Sequence, residues 1–359
     1  MSLTYIAYSS FDLRSANSLQ TFLTCKSLAQ IEPRVRVILP KSPRRPVESR
    51  GVNATFVNKL PLRWALGATG ERLERRFFAA RAAAIARRLG QPVYTRDVLV
   101  AERCAAAGLA VGVEIHDLDG AGAAIESAAC VVVLNETLAE RLRGANRSRR
   151  IEVIPDAYDS TVFRPQPRIA ARAAIGLTGD AFVVGYAGLT FAGRGVDLLV
   201  AAFDRLDAPA NRFLLLLGGG PDEVERLRVA GRPDVRAPGR LALEEVARQL
   251  AAADVLAIPD AVGDAAASPL KMFEYAALGI PIVAPERAEI RGVLGEHACY
   301  FTPRDVDSLA RALRAVAMDG EHWSRAAETL RRALARFDYD ERARRILRVM
   351  SGEPAGDAR

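Results

Sequence analysis

Short runs of aliphatic and β-branched residues, each followed by a helical stretch, recur along this chain, and that alternation is its tightest constraint on fold. Strand, crossover helix and next strand are the units of a parallel sheet with helices on both faces. In the first half LTYIAY (3–8), VRVIL, QPVYTRD, LAVGVEIHD and CVVVLN read as strands. The helices between them are SANSLQTFLTCKSLAQ, entered through a polar Ser-Ala-Asn-Ser loop, the arginine-rich stretch 71–89, a short one through Arg103, one near 121–127, and TLAERLRG. Residues 40–70, rich in Pro and Arg, read as a long basic loop around NATFVNKL. IEVIPDAYDSTVFRP closes this half, and Pro165 and Pro167 mark a linker. The pattern then restarts with AFVVGYAGL, VDLLVAAFDRL, RFLLLLGGG, DEVERLRVA, ALEEVARQLAAA and DVLAIPD, and it ends in a helical region over 321–350 and a tail, SGEPAGDAR, expected to fray. Two similar α/β halves in series predict two doubly wound domains, with ligands at the carboxyl ends of the strands and a cleft between the halves as the natural site.

Charge narrows the partners. Residues 1–157 hold 23 Lys and Arg against 15 Asp and Glu, and the remainder 27 against 28, so the excess of cations sits in the first half. An anionic partner fits that half, and a membrane surface fits best. Leu73, Phe77, Phe78, Ala84 and Ile85 gather on one side of the 71–89 helix with arginines opposite, although a core-packed helix with a solvated arginine face has the same pattern. Nucleic acid is disfavoured because the basic segment matches no DNA- or RNA-reading module. No apolar run approaches a membrane span and MSLTYIAYSS lacks a signal peptide's basic region, which predicts a cytoplasmic protein, peripheral at most. Cys25, Cys104, Cys130 and Cys299 lack CxxC spacing and only His116, His297 and His322 could join them, so neither a zinc site nor a disulfide framework is expected.

The stretch ASPLKMFEYAALGIPIVA, 267–284, carries the chemistry most plainly. Ser268 suits an N-cap, Pro269 a first helical position and Gly279 a helix end, after which 281–284 reads as a buried strand. Leu270, Phe273, Ala277 and Leu278 fall on one helix side with Glu274 among them, a carboxylate that asks for a polar partner from an internal cation or from a ligand. The first amides of this helix are unpaired and Lys271 stands in its first turn, so phosphates at the helix end and a hydroxyl pair at Glu274 would suit a nucleotide.

Other motifs are read beside it. GLTFAGRGVD places Gly188, Gly193, Arg194 and Gly195 in a strand-to-helix loop that suits a phosphate, though a glycine turn with a solvated arginine has the same sequence. In LLLLGGGPDE the third glycine of a dinucleotide fingerprint would fall at Glu223, whose charge would repel pyrophosphate, so a nicotinamide site is rejected. A tight turn or close backbone approach explains Gly218 and Gly220. His116 ends a strand beside Asp117 and Asp119. No Ser-His-Asp or Cys-His order can be assigned, and Asp260 and Asp264 flank the 267–284 stretch as loop acids.

In this order VEIHD, GYAGLTFAGRGVDLLVAAF, LLLLGGGP and SPLKMFEYAALGIPIVA resemble the retaining GT-B glycosyltransferases of glycosyltransferase family four, and VIPDAYDSTVF is similar to that family's interdomain segment. The resemblance implies two Rossmann-like domains: 1–160 for the acceptor, joined by a returning helix over 336–350, and 161–335 for a UDP- or GDP-sugar donor. It implies that Glu274 receives ribose hydroxyls. Arg194 and Lys271 neutralise the diphosphate, and the helix end at Ser268, Pro269 and Leu270 cradles it with the glycine loops at Gly188, Gly218 and Gly220. His116 contacts the transferred sugar, and Ser15, Asn17 and Ser18 stand in the acceptor loop where the family has a glycine pair. Catalysis would rest on His116, Arg194 and Lys271, with no permanently bound cofactor and no metal. The acceptor would be a glycan, a lipid-linked group or a small molecule. Ala266 replaces the family's first acid and Leu189 a second cation. A catalytically silent nucleotide-sugar-binding subunit and an inverting GT-B transferase are the alternative readings.

Overall fold

Strands buried on both faces need unbroken apolar runs, and the segments read as strands from sequence supply them. A computed structural model describes residues 2–9, 11, 16–41, 49–144, 150–177, 180–207, 209–259 and 270–356. The chain divides into two units, Met1–Asp156 with Tyr339–Arg359, and Ala157–Asp338.

The first unit runs β1 (Thr4–Ile6), α1 (Ala16–Ile31), β2 (Arg36–Lys41), β3 (Ala54–Asn58), α2 (Leu62–Leu89), β4 (Val93–Thr95), α3 (Val98–Ala106), β5 (Val111–Ile115), α4 (Gly122–Ser127), β6 (Cys130–Val133), α5 (Glu136–Gly144) and β7 (Ile151–Val153). The second runs α6 (Arg168–Ala174), β8 (Phe182–Ala187), α7 (Val196–Asp204), β9 (Arg212–Leu217), α8 (Pro221–Arg226), β10 (Val235–Gly239), α9 (Leu243–Leu250), β11 (Val255–Ala257), α10 (Lys271–Leu278), β12 (Ile282–Pro285), α11 (Ala288–Leu294), β13 (Cys299–Phe301), α12 (Val306–Met318) and α13 (Gly320–Leu334). The final helix, α14 (Tyr339–Met350), belongs to the first unit.

Among the described residues the first sheet has order β3-β2-β1-β4-β5-β6-β7 and the second β10-β9-β8-β11-β12-β13, with every pairing parallel. Both are doubly wound: the order reverses beside the first strand of each unit, which puts the carboxyl ends of β1 and β4, and of β8 and β11, at topological switch points.

Alternation along the strands separates the two cores of the second unit. Val183, Leu215, Leu256 and Ile282 face one side with Phe273, Ala277 and Leu330, while Val184, Leu214, Val255 and Val283 face the other with Leu199, Phe203 and Leu313. Each fully buried Val, Leu, Ile or Phe among them contributes about 1.5–3 kcal/mol relative to exposure. In the first unit α14 supplies Ala343, Ile346 and Val349 to a core with Tyr5, Val37, Tyr94 and Val132. Gly112 on β5 makes room for it, since a side chain there would run into Met350 and the Tyr94 ring.

Four features depart from the sequence expectations. Residues 62–66, expected in a loop, are helical. They join α2 across a break at Gly67 (φ 54, ψ −132) that only glycine adopts easily. The buried side of α2 is Gly70, Glu74, Phe78, Ala79, Ala82, Ala83 and Ala86, so Leu73 at 42% exposure and Ala84 lie outside it. Glu74 is buried because it accepts from the Arg63 amide at 2.8 Å, near the start of the broken helix, and from Tyr8 Oη at 3.4 Å. Helices α6 and α11 were not expected, being short and without a side-chain cap hydrogen bond. The tail is not frayed as far as Ala355, which is 2% exposed and donates its amide to Glu152 Oε2 at 3.1 Å.

Candidate functional site

The loop leaving β8 is held from two sides. Tyr186 Oη donates to the Leu189 carbonyl at 2.6 Å, and Tyr275 Oη, on α10, accepts from the Ala187 amide at 2.8 Å. Gly188 sits between them at φ 145, and a Cβ there would meet Tyr186 Oη at 3.0 Å and Lys271 Nζ at 3.1 Å. The first residue of α10 therefore presses its ammonium against the end of β8, with Nζ 5.0 Å from the Tyr186 ring centroid. Burial pulls the Lys271 pKa down to about 8; the Glu274 charge opposes that shift and the Arg194 charge adds to it. Arg194 is exposed, with its guanidinium 4.9 Å from the Phe191 ring centroid. Arg194, Lys271, Gly188 and Glu274 thus share one neighbourhood at the carboxyl end of β8, where two cations and a carboxylate face an accessible loop.

Helix α10 differs from a one-sided amphipath. Met272, Phe273, Tyr275, Ala276, Ala277 and Leu278 are all buried, which leaves Lys271 and Glu274 as its partly exposed positions. Glu274 consequently stands beside the apolar surface instead of within it, one turn beyond Lys271. Leu270 already has helical dihedrals (φ −52, ψ −35), the amides of Phe273 and Glu274 turn to its carbonyl, and Gly279 ends the helix in the left-handed region at φ 71. Ser268 and Pro269 lie outside the described residues, as do Ser15, Asp260, Asp264 and Ala266.

The glycines after β9 serve the protein's own packing. A methyl on Gly218 (φ 127) would overlap the Gly188 carbonyl oxygen, and one on Gly219 would overlap Thr190 Oγ1, whereas Gly220 has open space around it. Glu223, the residue that argued against a dinucleotide fingerprint, accepts from the Gly220 amide at 2.7 Å and from Thr190 Oγ1 at 2.9 Å, so its carboxylate ties the two loops together.

In the first unit His116 follows β5 directly. Its Nε2 lies 2.6 Å from Glu114 Oε1 and its Nδ1 3.4 Å from Arg96 Nη2. Asn17 and Ser18 are not in a loop: they occupy the first turn of α1, Asn17 exposed and Ser18 buried at 3%. Tyr186, Tyr275, Glu114 and Thr190 were not singled out from sequence. Tyr186 and Tyr275 stand inside the GYAGL and FEYAAL motifs, a signal that was available, while nothing local marks Tyr94 or Arg342 as partners of Glu114.

Residues 181–319 match the family model described as Glycosyl transferases group 1. A D-inositol 3-phosphate glycosyltransferase from a Nocardioides species is 30% identical over 225 residues, covering 56% of this chain and 48% of the relative; the chain thus spans about half the length of that curated relative. Among solved structures, sucrose-phosphate synthase from Thermosynechococcus elongatus superposes with a TM-score of 0.79 at 18% identity, over 98% of this chain and 99% of that one. HepE from Anabaena in complex with UDP and glucose gives 0.77 at 17% identity, over 98% and 100%. These likenesses establish the GT-B fold.

Proposed function

We propose that the chain is a retaining glycosyltransferase that moves a sugar from a nucleoside-diphosphate donor, UDP- or GDP-linked, to an acceptor hydroxyl. The observation that carries this reading is the pairing of Lys271, an ammonium held near pKa 8, with Arg194 at the carboxyl end of β8 and with Glu274 one turn along α10, inside the stretch that matches the glycosyltransferase model. Cations so placed stabilise charge that grows on a departing diphosphate, and a carboxylate beside them takes the two hydroxyls of a ribose. In the reaction the bond between the sugar C1 and the phosphate oxygen breaks and the diphosphate leaves with the electron pair. The acceptor oxygen bonds to C1 on the same face, and its proton passes to a phosphate oxygen. Arg194 and Lys271 carry the neutralising charge, so the reading uses no metal. Gly188, Gly218 and Gly220, with Ser268, Pro269 and Leu270, are assigned to the diphosphate. The first unit is assigned the acceptor, a glycan, a lipid-linked group or a small molecule, with His116 assigned to the transferred sugar and Ser15, Asn17 and Ser18 to the acceptor.

A thermal-shift and turnover screen over nucleoside-diphosphate sugars tests this, with UDP-glucose first because HepE is solved with UDP and glucose. A shift that Glu274→Ala reduces, together with a product of retained anomeric configuration, is the expected result. Binding without turnover or hydrolysis of any donor favours the silent subunit, inversion at C1 favours the inverting transferase, and an equal shift in Glu274→Ala overturns the assignment of the ribose.

The basic helix α2 carries the membrane part of the reading. Seven arginines and two glutamates lie within it, Trp64, Leu66 and Leu73 are 78%, 53% and 42% exposed, and a groove of about 670 Å³ beside it is lined by Ala84, Arg87, Arg88 and Arg103. Arginines over exposed apolar residues suit the surface of an anionic bilayer. Among the described residues no helix is long and apolar enough to cross one. Sedimentation with phosphatidylserine vesicles is expected to be strong at low salt and lost at high salt; equal recovery with neutral vesicles would remove this part of the proposal.

A further inference from the structure

Beneath His116 lies a polar cluster that the functional reading leaves unused. Glu114, on β5, is 1% exposed and its two oxygens are divided between four donors. Oε2 accepts from Tyr94 Oη at 2.6 Å and from Arg342 Nη2 at 2.6 Å, while Oε1 faces His116 Nε2 at 2.6 Å and Arg96 Nε at 3.3 Å. Burial by itself would push the Glu114 carboxyl up; the charges of Arg342 and Arg96 and the bond from His116 outweigh it and hold the group well below the usual carboxylate range. Arg342, on α14, has a side chain 2% exposed, and its second terminal nitrogen donates to the carbonyls of Ile154 (2.9 Å) and Pro155. The carboxylate is thereby immobilised from below by groups that meet no solvent.

Above it, the geometry dictates a tautomer. A ring nitrogen 2.6 Å from a carboxylate oxygen must carry the proton of that bond, so Nε2 is the N–H. It cannot then accept from Arg96 Nε, 3.1 Å away, whose guanidinium forms an ion pair with Glu114 Oε1 at 3.3 Å. Nδ1 keeps its lone pair, with Arg96 Nη2 as its distant neighbour at 3.4 Å, and the side chain is 28% exposed. An orienting carboxylate behind a histidine commonly has this effect, fixing both ring orientation and protonation pattern.

We propose that Glu114 is the positioning residue of His116, held for that purpose by Arg342 and Tyr94, and that it presents Nδ1 as a hydrogen-bond acceptor to a hydroxyl of the substrate. The hydroxyl rests on the glycosyltransferase reading; the tautomer does not. The substrate contact is thus specified as a donor hydroxyl, in contrast to a carbonyl or phosphate oxygen, which would need an N–H from the ring.

Long-range 15N–1H correlation on full-length protein labelled with 15N-histidine, with the His116 signals assigned by His116→Gln, reads the tautomer directly. The expected spectrum has a protonated Nε2 and a bare Nδ1. Glu114→Gln, and Glu114→Asp, which keeps a counter-charge for Arg342 while withdrawing the carboxylate by one methylene, should both collapse that pattern into mixed tautomers. They should lower kcat by roughly 10–100-fold, the effect of removing the partner that orients a metal-bound histidine. Nucleoside diphosphate affinity, which belongs to the second unit, should be unchanged. A protonated Nδ1 in the unaltered protein, as the other tautomer or as imidazolium, overturns the proposal, and so does a Glu114→Asp spectrum like the parent's. Absence of turnover with every donor refutes the transferase reading while leaving the spectral result to stand or fall alone.

Discussion

Lys271 shows what burial of one ammonium does to the rest of a site. Its folded-state pKa of about 8 lies below the 10.5 of an unhindered lysine, so between those values the unfolded chain binds more protons than the folded one, and this residue makes stability rise with pH across that window. A diphosphate brought against it restores the charged form. Binding near pH 8.5, about the middle of the lower half of the window, should therefore take up part of a proton, visible by calorimetry as a dependence of apparent enthalpy on the buffer's ionisation heat. Lys271→Met should abolish that uptake and weaken binding by about 1.5–3 kcal/mol, the contribution of hydrogen bonds to charged groups. A wild-type enthalpy independent of buffer would separate Lys271 from the diphosphate. Lys271, Arg194 and Glu274 could be picked out from sequence because each lies in a stretch whose helix and turn chemistry is local. Arg342 could not: it meets Glu114 from 228 positions away, and only the folded sheet brings the two together.

At the scale of elements, the strand ends of β8 and β9 are built around a contact of glycine with glycine. Gly218→Ala would force a methyl into the Gly188 carbonyl at a backbone φ of 127, and displacement of both loops should cost roughly 1–3 kcal/mol. In a chain of this size that is a fall of a few degrees in Tm by scanning calorimetry, whereas Gly220→Ala, in open space at φ −120, should change it little. Equal effects of the two substitutions would contradict the role given to the contact. Sequence pattern located most strands and long helices because period-two and 3.6-residue repeats survive burial. It failed at 62–66, where Gly67 breaks the helix and prolines upstream imitate a loop, and on the buried side of α2, where Glu74 sits among alanines to receive the Arg63 amide. An acid in a core position is invisible to a rule that counts apolar residues.

For the whole molecule, what matters is how the two units are made from the chain. The second, Ala157–Asp338, is one continuous segment with cores on both sides of its sheet, and expressed as such it should unfold cooperatively and keep any nucleoside diphosphate affinity of the parent. The first cannot be cut out the same way. Residues 1–156 without α14 lose Ala343, Ile346 and Val349 from the core and leave Glu114 with Arg96 but without Arg342, and removal of one partner of a buried ion pair costs about 3–5 kcal/mol. Hydrogen exchange on the two fragments checks this: protection in 157–338 and none in 1–156 is the expected result, and protected amides on β5 of the shorter fragment would argue against it. Doubly wound sheets were legible in outline, since most βαβ units are local, although β3 lies in the stretch read as a loop. The return of α14 was implied by family resemblance alone, because nothing in YDERARRILRVM names the surface it covers.

Because Glu114 waits for Arg342, the order of synthesis becomes part of the design. The ribosome releases β5 long before α14, and for some two hundred residues in between, the nascent first unit holds a carboxylate that has Arg96 beside it but still lacks Arg342. The second unit, complete by Asp338, can close first. The histidine at the end of β5 is therefore set into its final orientation only after α14 has been made.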